Sequence, residues 1–180
     1  MEEQGYTASA GHLRSPQRIA MLEIDRVVTL TLEGIQASSV LDVATGSGIF
    51  AEAFERRGLL AAGIDANTEL LKIAQQFSKT GVFLEGTIEQ IPLKDRAVDV
   101  VFLAHVLHKT GDISSAIREC KRVARKRIAI LEWPYQLEED GPPLEQRLKT
   151  DDVIAATEQI GFSQVEAQQL KRMILFKLTL

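Results

Sequence analysis

Val40-Leu41-Asp42-Val43-Ala44-Thr45-Gly46-Ser47-Gly48-Ile49-Phe50-Ala51 is the stretch that decides the fold. A short apolar run over 39–43 enters a turn with two glycines and leaves it as a helix from about Ile49 to Arg57, closed by Gly58. Glycine reaches positive φ and lets a ligand approach the backbone, and a helix N-terminus offers unpaired N–H groups to an anion. Gly46-x-Gly48-x-x-Ala51 also satisfies the nucleotide-binding glycine fingerprint in its G/A form. Tight strand-to-helix turns that hold nothing share that pattern, so its meaning depends on its surroundings.

Outward from this turn, apolar runs alternate with helical periodicity. Leu60 to Ile64 reads as a second strand, Val82-Phe83-Leu84 as a third, Ala97 to Leu103 as a fourth and Arg127 to Trp133 as a fifth. Asn67 caps a helix carrying Leu70, Leu71, Ile73, Ala74 and Phe77, and Asp112 caps one carrying Ile113, Ala116, Ile117, Cys120 and Ala124. Upstream, Ser15-Pro16 opens a helix whose stripe Ile19, Leu22, Val27 and Leu30 runs on toward Gly34. Downstream come the longest loop, with Gly141-Pro142-Pro143, a helix over about 151–160 stopping at Gly161, and two strands near Val165 and over Met173–Leu178. Such alternation implies a doubly wound α/β sheet with ligands at the carboxyl ends of its strands. We divide the chain into an N-terminal cap segment and helix, 1–38, and a main domain, 39–180, forming a single domain overall.

Two aspartates sharpen the glycine turn. Asp65 ends the second strand 17 positions after Gly48, near the spacing at which an acidic side chain meets ribose hydroxyls. Asp42 sits inside an apolar strand, where a carboxylate is costly unless paired or placed near the mouth. It would repel a pyrophosphate and favour a ligand bearing an ammonium and a sulfonium, which separates S-adenosylmethionine from NAD.

Bulk properties exclude other classes. The net charge of −4 argues against a nucleic-acid partner, and 45% hydrophobic with 26% charged residues is ordinary globular composition. The basic run 121–127 reads as the solvated face and C-terminal end of a helix. Cys120 is the only cysteine, so no internal disulfide forms and no metal site is expected. Without an apolar leader or a long apolar run, a cytoplasmic protein with no membrane partner is expected.

The sequence resembles the class I S-adenosylmethionine-dependent methyltransferases, closest to the branch containing the ubiquinone and menaquinone C-methyltransferases. The resemblance rests on 41–48, Gly63-Ile64-Asp65-Ala66, 86–93 from Gly86-Thr87-Ile88 to Leu93, Val98-Asp99-Val100-Val101, and Ala104-His105-Val106-Leu107-His108. It implies a Rossmann-like seven-stranded sheet, mostly parallel with an antiparallel C-terminal strand and helices on both faces. It also implies that Asp42, Ala44, Gly46 and Gly48 line the methionine end of the cofactor. Asp65, followed by Ala66, would bind the ribose, Thr87 and Ile88 would lie beside adenine, and Ala104 would sit near the cofactor's amino group. Three departures stand out. Ala44 replaces the usual first glycine, Thr87 stands where an aspartate often receives the adenine amino group, and Arg125-Lys126-Arg127 takes the place of the Pro-Gly-Gly turn before the fifth strand.

Methyl transfer from a sulfonium is a direct displacement that demands alignment, and a base only when the acceptor arrives protonated. His108 and Glu132, at the ends of strands four and five, are the candidates for proton removal. His105 reads more readily as packing against the cofactor or capping the next helix. His12 and Arg14 precede the core, where an N-terminal segment can cover cofactor and substrate. The expected function is methylation of a small-molecule acceptor by a monomer or homodimer. The competing readings are a nucleotide-binding oxidoreductase, a non-catalytic methyltransferase-like binding protein, and a protein or nucleic-acid methyltransferase.

Overall fold

The structure is a computed structural model and describes residues 13–162 and 164–180; His12 lies outside them. Seven strands form one sheet: β1 (Ser39–Val43), β2 (Leu60–Asp65), β3 (Val82–Glu85), β4 (Val98–Ala104), β5 (Ala124–Glu132), β6 (Gln164–Gln169) and β7 (Ile174–Thr179). Their spatial order is β3-β2-β1-β4-β5-β7-β6, with β7 antiparallel to both its neighbours and the other pairings parallel. The sheet reverses its winding between β1 and β4, the switch point where such sheets open a crevice.

Helices α1 (Pro16–Leu22), α2 (Ile24–Leu32), α3 (Ile49–Arg56), α4 (Thr68–Phe77), α5 (Ile113–Val123) and α6 (Thr150–Gln159) complete the described elements, with 3-10 turns at Leu107–Lys109 and Leu144–Gln146. Ser15, Asn67 and Asp112 cap α1, α4 and α5 with their side chains, as expected. Strand alternation divides the core. Leu41, Val43, Val101, Leu103, Ile128 and Ile130 pack with Ile117 and Val123 of α5 and Val153 of α6. Val40, Val100, Phe102, Ala129 and Leu131 pack with Val27 and Val28 of α2 and Phe50 and Phe54 of α3. By the period of two, Asp42 shares the Val40 face, beneath α3.

Two expectations change. The single N-terminal stripe is broken: Glu23 adopts φ 46, separating α1 from α2, and its Oε2 accepts a hydrogen bond from Lys171 N at 2.9 Å. Ile19, read as part of that stripe, is exposed. The basic run is not a wholly solvated helix end either. α5 stops at Val123 and β5 begins at Ala124 with no connecting loop, so Arg125, Lys126 and Arg127 lie on the strand. Arg127 is buried there, its Nη1 donating to the carbonyls of Thr31 and Glu33 at 2.9 and 2.6 Å. The register of β5 on β4, Ala124 opposite Val98, dictates this early start. Among the described residues no helix is long and apolar enough to cross a membrane.

Candidate active site

Two clefts open at the carboxyl ends of the parallel strands and meet at Ala44. The larger, about 160 Å³, is lined by Ala44, Asp65, Ala66, Thr87, Ile88 and Glu89, with Lys109 and Thr110 closing one side. The smaller, about 70 Å³, is lined by Asp42, Ala44, Gly46, Ala104 and His105, with Arg18 and Leu22 of α1 over it. Eight of the nine residues expected around a cofactor thus gather along one crevice at the switch point.

Gly48 is the exception. It lines neither cleft; a Cβ there would meet Ala74 Cβ at 2.7 Å, and its φ is 76. Its absent side chain lets α3 start against α4, which is the packing role of a fingerprint glycine rather than a ligand-facing one.

Each aspartate has a defined setting. Asp42 is buried on β1, its Oδ2 accepting from Thr45 Oγ1 at 2.7 Å and Ala51 N at 3.2 Å. Burial pushes its carboxyl up to about 7, against the pull of those two hydrogen bonds and with a further push from Asp65. Among the described residues no cation pairs with it. Asp65 Oδ2 accepts from Gly46 N at 2.8 Å and Oδ1 from Asn67 N at 2.9 Å. Its carboxylate therefore braces the glycine turn and also lines the larger cleft.

Two of the four described non-glycine residues with positive φ lie here. Ala44 and His105, both lining the smaller cleft, have φ 56, a region that L-residues enter at a cost of roughly 1–2 kcal/mol. His105 packs against protein side chains while also lining the smaller cleft. Its ring stacks on Trp133 with centroids 5.1 Å apart, and Nε2 lies 3.2 Å from Met173 Sδ. Burial holds its imidazole well below the ordinary value, with Arg18, His108 and Lys109 adding to the effect.

His108 and Glu132, read separately from the sequence, are partners. His108 Nδ1 lies 2.8 Å from Glu132 Oε2, and both side chains are nearly sealed, at 7% and 2% exposure. Arg14 grips the glycine loop: Nη2 and Nε donate to the Ser47 carbonyl at 2.8 and 3.2 Å, and Nη1 pairs with Glu52 at 2.8 Å. The sequence reading missed Arg18, Glu89, Lys109 and Thr110 as lining residues. The last two carried a signal, since they lie in the loop after the fourth strand.

Beyond this crevice, the 133–147 loop is tied down by Arg147, whose guanidinium donates to the carbonyls of Pro134, Gln136, Asp140 and Pro142. Gly141 lies against Trp133, where a Cβ would come within 2.6 Å of the indole.

The profile of the "Methyltransferase domain" family matches residues 41–130, half of the chain. Over 111 residues the chain is 36% identical to the demethylmenaquinone methyltransferase of Thermotoga maritima, covering 59% of this chain and 48% of that protein. It is 34% identical over 92 residues to the malonyl-[acyl-carrier protein] O-methyltransferase of Serratia marcescens, covering 51% of this chain and 36% of that one. The chain thus spans about half or less of the length of these curated relatives. A SAM-dependent methyltransferase structure from Aquifex aeolicus superposes with a TM-score of 0.80 at 23% identity, over 94% of this chain and 96% of that one, and so shares the fold. The matched segment runs from Leu41 to Ile130 and contains the glycine turn, Asp65 and the post-β4 loop, so this chain belongs to the class I S-adenosylmethionine-dependent methyltransferase family.

Proposed function

We propose that this chain methylates a small-molecule acceptor with S-adenosylmethionine as donor. One observation carries the reading: two clefts share Ala44, with Asp42, whose buried carboxyl is paired with no cation among the described residues, on one side and Asp65 on the other. A pyrophosphate would meet repulsion at Asp42, whereas a cationic methionine end would supply the missing counter-charge. When bound, the cofactor supplies an electrophilic methyl carbon. Asp42, Ala44, Gly46 and Ala104 would hold its methionine end, and Asp65, Ala66, Thr87 and Ile88 its nucleoside. The printed activities of the relatives, on a demethylmenaquinone and on a malonyl group carried by a protein, support a methyl acceptor of modest size.

Isothermal calorimetry tests this. S-adenosylmethionine or its demethylated product should bind with roughly −7 to −9 kcal/mol, a micromolar affinity, and NAD should not bind. Asp65→Ala should lose on the order of 1.5–3 kcal/mol of that affinity. Because Asp65 also braces Gly46 and Asn67, the same variant should lose about 1–2 kcal/mol of stability, more than a residue at a cleft rim would. Binding of NAD with no binding of either methionine nucleoside overturns the proposal.

A further inference from the structure

We propose that Arg18 of α1 receives the carboxylate of the cofactor's methionine end, so that the site selects donors with an intact amino acid over decarboxylated ones and bare thioadenosines. The inference rests on the methyltransferase reading and adds to it a specificity-determining residue, one outside the segment that the family profile matches.

The local sequence presents Arg18 to the smaller cleft. Ser15 Oγ accepts from Arg18 N at 3.3 Å and Pro16 opens the helix, which fixes Arg18 as its third residue. Leu22 follows one turn later on the same face, and both line the cleft. Arg14 seats the segment on the glycine turn: besides its bonds to the Ser47 carbonyl and Glu52, its guanidinium lies 3.6 Å from the centre of the Phe77 ring. Leu22, buried, anchors the other end. A cation in the first turn of a helix opposes the helix dipole, so Arg18 is a local cost to α1. What it faces is the cleft.

That cleft carries opposite charges on separate walls. Asp42 lies on β1 beneath it and Arg18 on α1 over it. The charge bearing on Asp42 is that of Asp65, and the charge of Arg18 bears on His105. Lys109, the other cation of the crevice, stands on the larger cleft with the residues assigned to the nucleoside. In an amino acid, ammonium and carboxylate branch from one carbon. A methionine end between these walls therefore meets an acid with the first and a guanidinium with the second.

The glycine turn leaves the carboxylate few other donors. Thr45 N donates to the Ile64 carbonyl at 2.9 Å, Gly46 N to Asp65 Oδ2 at 2.8 Å and Gly48 N to the Thr45 carbonyl at 2.9 Å. Phosphate-binding turns of this shape keep such N–H groups for their anion. Here they are spent within the protein, and a guanidinium supplies two parallel donors that match a carboxylate.

Calorimetry on the full chain tests this with three ligands. These are S-adenosylhomocysteine (the demethylated product), its decarboxylated form, which keeps the amine, and 5′-methylthioadenosine, which has neither group. Wild type should bind S-adenosylhomocysteine about 10- to 100-fold more tightly than the decarboxylated form, the range of a hydrogen-bonded ion pair. Arg18→Gln should lose about that factor on S-adenosylhomocysteine and stay within about threefold of wild type on the other two ligands, whose retained binding reports an intact site. If wild type binds none of the three, the methyltransferase reading fails and this inference with it. Equal wild-type affinity for S-adenosylhomocysteine and its decarboxylated form overturns the inference alone. So does a preference that survives in Arg18→Gln, which places the carboxylate on another group, or an equal loss on all three ligands, which makes Arg18 a support of the fold.

Discussion

Asp42 and Asp99 are both buried carboxyls on neighbouring central strands, and the two ends of the sheet treat them in opposite ways. Asp99, at the amino end of β4, receives hydrogen bonds from Ser38 N at 2.8 Å and Ser38 Oγ at 2.9 Å, and pairs with Arg125 at 2.9 Å and Lys126 at 3.3 Å. These donors overcome the cost of burial and hold its carboxyl below the usual range. Asp42, at the carboxyl end of β1, has one hydroxyl and one amide, and burial wins. The acid of the amino end is thus completely paired. The carboxyl end keeps a desolvated acid that a cationic ligand can satisfy, and it holds two of the strained non-glycine residues as well. The two ends of the sheet thus differ in how far their buried acids are paired.

Breaking the complete end should have the largest effect on folding. Asp99→Ala strands Arg125, Lys126 and both donors of Ser38, and the two cations are exposed enough to fall back on water. The expected loss is about 3 kcal/mol in urea denaturation, with affinity for S-adenosylhomocysteine unchanged. A loss below about 0.5 kcal/mol, within the range of ordinary surface substitutions, would remove the contrast.

Asp42→Asn should act in the opposite sense. With its folded value near 7, Asp42 keeps a proton that the unfolded chain gives up near pH 4, so this residue lowers stability as pH rises from about 4 to about 7. Relative to the variant, wild type should lose on the order of 2–3 kcal/mol across that window, allowing for relaxation around the ionised group. Asp99 has the reverse sign: its contribution is present above about pH 4 and fades as pH falls below it. Denaturation curves of wild type and Asp42→Asn at pH 4.5 and 7.5 isolate the Asp42 contribution, and parallel curves would refute it.

The smallest effect sharpens the strain half of the comparison. Ala44→Gly relieves a left-handed alanine but gives up unfolded-state restriction, for a net gain of about 0.5–1 kcal/mol in thermal or chemical unfolding. A destabilised Ala44→Gly would mean that the alanine methyl packs usefully in the turn.

Much of this was legible along the chain. The β1 run over 39–43, the glycine turn, the Ser15, Asn67 and Asp112 caps and the element order follow from period, caps and turn residues, which act over a few positions. Asp42, Ala44, Gly46, Asp65, Ala66, Thr87, Ile88 and Ala104 could be grouped in advance because parallel strands with short connections bring their carboxyl ends together. What local pattern could not carry was anything decided by register or by contact across the sheet. Gly48 looks like a ligand-facing glycine until α4 is seen against it. The break at Glu23 comes with a hydrogen bond to its side chain from Lys171, far along the chain. Arg127 is buried because β5 pairs from Ala124 onward, and His108 meets Glu132 because β4 and β5 end side by side. Sequence determined the order of the elements and which residues gather at the carboxyl ends of the strands. The tertiary structure alone decided which charges are paired and which acid is left waiting, because an ionisable side chain's state depends on neighbours that only the assembled sheet supplies.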